Sequence, residues 1–227
     1  MTGEFGNFTA LGFRLAFYML ASLLVGMCVR EYARARTAVR LGDPTARLWG
    51  RVTLQPRAWF EPFGSGLVPA LIAVLWAVQA LVMPAAYGKP APIDPARFRD
   101  QRRDVVIVSC AGPVATLLLG VIAGLIIRAI SLPPEGARAV LTLAYTSMSL
   151  TIFHLLPIPG LDGARMVALI LPRDAAEVYR HAERYLPLIV LVILFVFSSL
   201  VLGLLTSLTG ALCNAATGVN CLGLLSF

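Results

Sequence analysis

The sequence predicts an all-α integral membrane protein with five to six transmembrane helices, a short interfacial β-hairpin and a fourth helix broken by proline. Three observations predict it. Of the 227 residues, 58% are hydrophobic and only 14% are charged, whereas a soluble domain is about half apolar and a quarter charged. The apolar residues gather into runs close to the ~20 residues that a bilayer-spanning helix requires. The runs are separated by proline, glycine and arginine rather than by hydrophilic linkers, so residues 1–227 read as a single domain. The start, "MTGEFGNFTA", has no basic stretch and no clear cleavage site, and reads as lacking a signal peptide.

The first run is roughly 10–29, with Arg14 near its start and able to reach the interface. "REYARARTAVR" contains neither Gly nor Pro, so the helix continues to about Arg40 and stops at "LGDP", residues 41–44. Residues 45–62, "TARLWGRVTLQPRAWFEP", alternate in short pieces that predict a hairpin, and their Trp, Phe and Arg suit the membrane interface. A second run covers about 66–86. The loop "YGKPAPIDPARFRDQRRD" at 87–104 has too much proline for regular helix. A third run spans about 105–130 and is broken by "SLPPEG". A fourth covers about 138–156 and is cut by "LLPIPGLDG". The amphipathic "ARMVALIL" follows, then "PRDAAEVYRHAERY" at 172–185 as a surface helix, then a fifth run at about 186–206. Residues 207–227 read either as a sixth, weaker span or as a re-entrant piece.

The net charge of +7 comes from eighteen arginines and one lysine. Set in loops between apolar runs, these cations fix topology and touch anionic headgroups, so the lipid bilayer is the expected partner and nucleic acid is not. The basic stretches 30–57 and 89–103 flank the second run and give opposing orientations if that run spans. Cys28 and Cys110 read as packed thiols. Cys213 and Cys221 flank "NAATGVN" and are either a disulfide facing an oxidising compartment or two free thiols.

Two places carry candidate chemistry. In "LLPIPGLDG", Pro157 and Pro159 remove two backbone donors within three residues, and Gly160 and Gly163 add permissive backbone. A helix broken at membrane depth persists only where protein or a wet cavity satisfies its freed carbonyls. A carboxylate there, Asp162, is a functional candidate; at the interface the same residues would make an ordinary turn. In "MCVREYARART", Arg30 and Arg34 lie four apart on one helix face, beside Glu31. The spacing is that of His-Glu-x-x-His, in which two histidines bind zinc and the glutamate acts on water. A juxtamembrane basic stripe gives the same pattern.

Five motifs in order extend this. They are "EYARARTAVRLGDPTARLWGRVTLQP", "FEPFGS", "YGKPAPIDPARFRDQRRD" with Lys89, "AGPVAT" with Thr116, and "FHLLPIPGLDGAR". Together, over about residues 20–205, they resemble the site-2 protease family of intramembrane zinc metalloproteases, in its small bacterial branch without a PDZ domain. The corresponding elements there are the zinc-motif helix, an Asp-Pro-Phe-Gly-Thr turn, a Lys-Pro-Val-Pro-Val-Asn-Pro loop, an Ala-Gly-Pro-x-x-Asn element and an Asn-Leu-Leu-Pro-Ile-Pro-Pro-Leu-Asp-Gly motif. The resemblance implies histidines where Arg30 and Arg34 stand, a general base matched by Glu31 and a third metal ligand matched by Asp162. Thr116 and His154 replace family asparagines, and Asp94 replaces another.

The departures decide the expected chemistry. Catalytic zinc takes three protein ligands and one open position, and arginine only donates. No metal or cofactor is therefore expected, and Glu31 is a vestigial base. Zinc would return only with a weak alternative set of Glu31, Asp162 and His154, or with ligands from a partner; His181 is read as an interfacial polar residue. Zinc, two neutral histidines and two carboxylates sum to zero charge, as do two arginines with Glu31 and Asp162. The reading is a multi-pass cell-membrane protein, catalytically degenerate, that binds or regulates single-span membrane proteins or a homologous protease. Its alternatives are an active metalloprotease with a non-standard ligand set and an anion-binding transport protein.

Overall fold

A stretch of 39 residues without proline forms one long helix, α1 (Thr2–Arg40). It ends where Gly42 adopts φ 108°, and the Asp43 amide donates back to the Ala38 carbonyl at 3.0 Å. The computed structural model describes residues 2–78, 82–168, 171–172, 177–178, 181–195 and 200–225. Among them there is no strand, which corrects the hairpin expected over 45–62. That segment holds a helical turn, α2 (Thr45–Leu48), and a 3-10 turn, Pro56–Ala58. Its backbone donors are used locally, Arg51 N to Ala46 O at 2.8 Å and Phe60 N to Pro56 O at 3.0 Å. Gly50, at φ 65°, bends the chain where a strand would have to run straight.

The second run is also shorter as a helix than expected. A π-helical turn, Pro62–Leu67, leads into α3 (Val68–Ala77), and residues 82–94 then run without helix. Pro84, Pro90 and Pro92 withhold the donors a helix would need. Residues 83–87 of this extended piece are buried, and its polar groups are met by other elements. Trp76 Nε1 donates to Val82 O at 2.7 Å, Ser149 Oγ to Pro84 O at 2.5 Å, Tyr87 N to Gly64 O at 3.1 Å and Lys89 N to Trp59 O at 2.8 Å. It returns the chain to where it left: the Asp94 amide donates to Asp43 Oδ2 at 2.8 Å, and Ala91 packs with Ala35 and Ala46. The second run therefore goes in and comes back, and both basic stretches lie at the C-terminal end of α1.

α4 (Gln101–Ala129) starts at that end, capped by Asp100, whose carboxylate accepts from Arg103 N at 3.1 Å. α5 (Pro134–Leu155) runs back alongside it, and Gly120 permits the approach, since a Cβ there would sit 2.9 Å from Met148 Cε. After the Pro157–Gly160 turn comes α6 (Asp162–Ala168). The fifth run yields α7 (Leu186–Phe195) and α8 (Leu200–Thr217), followed by α9 (Cys221–Leu225). Of the expected surface helix at 172–185, residues 173–176 and 179–180 lie outside the described residues; 177–178 and 181 are helical, and Ala182–Tyr185 form a 3-10 turn. In the last segment α8 runs to Thr217, Gly218 turns at φ 75°, and α9 has five residues. A disulfide joins Cys213 to Cys221 across that turn, and Cys28 and Cys110 are free.

The main core cluster includes Met19, Met27, Trp76, Tyr145 and Met148, and two small clusters lie around Ala35 and Ala38. Among the described residues two helical segments, Ala10–Arg40 and Gln101–Ala129, are long and apolar enough to cross a membrane. Their outward faces are apolar as well: Phe13, Phe17 and Leu24 on α1, and Val114, Leu118 and Ile122 on α4, are exposed. A water-facing helix carries polar residues on that side.

Candidate functional site

Arg30, Glu31 and Arg34 belong to the second half of α1, one helical turn apart. Arg34 and Arg30 stand six and ten residues before Arg40, about 9 and 15 Å along the axis. Both face inward, against α4 and α6. The α5 break makes this possible. Pro157 and Pro159 stop the helix from continuing, and Gly163 lets α6 fold under its end, since a Cβ at Gly163 would lie 2.2 Å from Leu155 O. Asp162 thus begins α6 directly opposite α1.

The four charged groups form one network. Arg30 Nη1 donates to Glu31 Oε1, and Arg30 Nη2 donates to Asp162 Oδ2 at 2.5 Å. Arg34 forms ion-pair contacts, Nε to Asp162 Oδ1 at 3.3 Å and Nη1 to Glu31 Oε1 at 3.6 Å. No side chain in the network is more than 4% exposed. The guanidinium groups therefore point into the protein, not toward headgroups. Burying a charge away from water is costly, and charge-assisted pairing with a carboxylate offsets much of that cost.

The surrounding residues fit around the arginines. A Cβ at Gly112 on α4 would sit 3.0 Å from Arg30 Cγ and 3.1 Å from Arg34 Cδ, so glycine there makes room for both side chains. Thr116, one turn on, is fully buried and bonded to Thr151 Oγ1 at 2.8 Å and to Pro113 O at 3.0 Å. His154 lies near the end of α5, with its Nδ1–H on Leu150 O at 2.9 Å and Nε2 without a hydrogen-bond partner. Glu31 Oε2 and Arg34 Nη2 are likewise buried and unpartnered. Arg165 on α6, partly exposed, adds a third positive charge near Arg34 and Asp162.

The structure thus brings together Arg30, Glu31, Arg34 and Asp162, with His154 and Thr116 on the adjoining helices. Lys89 and Asp94 stand apart. Lys89 is exposed, and Asp94 caps Ala96 N at 3.1 Å and pairs with Arg97 Nε at 3.1 Å. His181 is exposed. Gly112 and Arg165 were missed by sequence reasoning. Arg165 could have been found, because it follows Asp162 by three residues on a helix.

The fold thus sets a buried cluster of two arginines and two carboxylates between α1 and α6, in a helical protein with two membrane-length apolar helices among the described residues. The relatives narrow this. Over 190 residues the chain is 30% identical to "Putative zinc metalloprotease YwhC" of Bacillus subtilis, covering 79% of this chain and 80% of that protein. It is also 30% identical over 187 residues to "Putative zinc metalloprotease Rip2" of Mycobacterium tuberculosis H37Rv, covering 80% of this chain and 68% of that protein. The Rip2 of Mycolicibacterium smegmatis is 29% identical over 178 residues, 78% of this chain and 66% of that protein. The chain belongs to this zinc metalloprotease family. No family model and no solved structure matches it.

The family name implies zinc, and the residues present do not fit it. Both Asp162 oxygens and one Glu31 oxygen are engaged by guanidinium groups. Arginine cannot ligate. Among the described residues no group of three His, Cys, Asp or Glu side chains is placed to hold a metal ion. The alternative set of Glu31, Asp162 and His154 is therefore not assembled as a ligand group.

Proposed function

We propose that this chain is a non-proteolytic member of the metalloprotease family, a multi-pass membrane protein in which Arg30 and Arg34 replace the charge of a catalytic metal. The observation that carries this reading is Arg30 bridging Glu31 and Asp162 in a buried position. Those are the two acids that the family resemblance matches to the general base and the third ligand. With both acids neutralised by permanent cations, neither is left to bind zinc or to take a proton from water. The retained fold serves to hold or regulate membrane partners, either single-span proteins or a homologous protease. The exposed apolar side chains between Phe17 and Val25 on α1 and between Val114 and Ile126 on α4 support the multi-pass placement. So does the length of α5, whose 22 residues rise about 33 Å.

The test is a paired reconstitution. Wild type and Arg30→His/Arg34→His are placed in liposomes with zinc and a single-span membrane segment, and both metal content and cleavage are measured. The wild type should neither retain zinc nor cleave, and the double histidine variant should gain about one bound zinc, in keeping with a site of three protein ligands. Cleavage by the wild type that disappears in Glu31→Gln would overturn the reading.

A further inference from the structure

The end of the molecule opposite Arg14 and Glu135 is strongly basic. Arg40, Arg47, Arg57, Arg99, Arg102 and Arg103 are exposed there, and none of them makes a side-chain ion pair or hydrogen bond among the described residues. The acids at the same end are engaged. Asp43 and Asp104 are buried, Asp94 is paired with Arg97, Glu61 accepts from Gly64 N, and the exposed Asp100 caps α4 by accepting from Arg103 N. Large apolar side chains lie among these arginines. Leu48 is 75% exposed and Trp49 is 71% exposed, whereas Trp59 and Trp76 are at most 4% exposed. Their height is fixed by Ala46, which packs against Ala35 on α1, about 7 Å before the Arg40 end.

We propose that this end is a docking surface for anionic phospholipid in the leaflet that α1 leaves at Arg40. Leu48 and Trp49 enter the headgroup and acyl boundary, and the arginines around them pair with phosphate. Two features select lipid over a soluble acidic partner. The exposed apolar pair sits beside the C-terminal half of α1, on which α2 packs through Ala46 and Ala35, and indole rings with flanking arginines are the residue types that settle at a membrane interface. Basic segments beside a membrane attract anionic headgroups additively, charge by charge. The two basic loops act as one surface because the re-entrant 59–94 segment returns the chain to its starting end, as the bond from Asp94 N to Asp43 shows. The proposal rests on α1 and α4 crossing the bilayer.

The fluorescence of Trp49 is a direct probe, because the other two tryptophans are buried. The full chain is placed in nanodiscs of acyl-brominated phosphatidylcholine, with and without phosphatidylglycerol, and Trp49→Phe supplies the background. Trp49 emission should be quenched by bromine, more strongly as the anionic fraction rises. The increment should be lost at high salt, as the screening length falls from ~10 Å at 0.1 M to ~3 Å at 1 M. Arg47→Gln/Arg57→Gln/Arg102→Gln should lose the anionic increment while keeping its helical circular dichroism. Trp49 emission that is blind to bromine but quenched by aqueous acrylamide would overturn the proposal. So would quenching identical with and without phosphatidylglycerol. A chain that fails to enter the discs would refute the membrane placement itself.

Discussion

Asp162→Ala is the sharpest perturbation of the cluster. Asp162 is 1% exposed; it accepts from Arg30 at 2.5 Å and faces Arg34 Nε at 3.3 Å. Its removal leaves two guanidinium charges against the single carboxylate of Glu31 in a buried space. Stranding one partner of a buried ion pair costs ~3–5 kcal/mol. For a chain of this size each kcal/mol lowers the midpoint by ~2–4 °C, so the loss is about 6–20 °C. The assay is thermal unfolding in nanodiscs at neutral pH, followed by circular dichroism. A headgroup-exposed arginine stripe would instead give the ~0–1 kcal/mol of a surface pair. A midpoint within that smaller range would refute the buried cluster. Replacing Arg30, Glu31, Arg34 and Asp162 together by apolar residues of similar volume should recover most of the loss, because apolar replacement of buried ion clusters is often neutral or stabilising by ~1–4 kcal/mol.

Other perturbations read other parts of the fold. Gly112→Ala pushes a methyl to 3.0 Å from Arg30 Cγ and should cost ~1–3 kcal/mol as overpacking, measured by the same melt. Burial raises the Asp43 carboxyl, but hydrogen bonds from the Thr45 hydroxyl and the Asp94 and Thr45 amides outweigh it and hold its pKa below the usual carboxylate value. Its stabilisation is therefore complete above an unfolded pKa of ~3.9 and is lost as pH falls through the lower folded value. The midpoint difference between wild type and Asp43→Ala, ~1–3 kcal/mol at neutral pH, should shrink below about pH 4; a difference unchanged at low pH would contradict this. Cys213 and Cys221 are eight residues apart, so reduction should cost ~2–3 kcal/mol by loop-closure entropy. Thiol titration of the denatured chain should find the two free cysteines before reduction and all four afterwards.

Much of the fold was legible because membrane-length helices announce themselves by run length. α1 and α4 follow their apolar runs, and α1 ends at "LGDP" as expected, where Gly42 adopts a positive φ. The errors came from segments governed by tertiary partners. Alternation in "RLWGRVTL" suggested strands, yet a strand needs a neighbour to pair with, and prolines at 44, 56 and 62 favoured local turns. The apolar 82–86 piece read as helix because hydropathy does not report that Ser149, Gly64 and Trp59 supply backbone partners to an extended chain. Recognising that return would also have removed the conflict between the two basic loops. In the cluster, Asp162 was grouped with Arg30 and Arg34 by the family resemblance together with charge balance. The role of Gly112 was invisible, since a glycine in a helix shows its purpose only when its neighbour across the interface is known.

The central claim is that permanent organic cations occupy the place of a catalytic metal, and zinc stoichiometry tests it most directly. Wild-type protein, purified in detergent after growth with added zinc and dialysed against metal-free buffer, should contain no stoichiometric zinc by elemental analysis. One tightly bound zinc per chain, lost on substitution of Asp162 or Glu31, would contradict the claim and return the chain to the active members of its family.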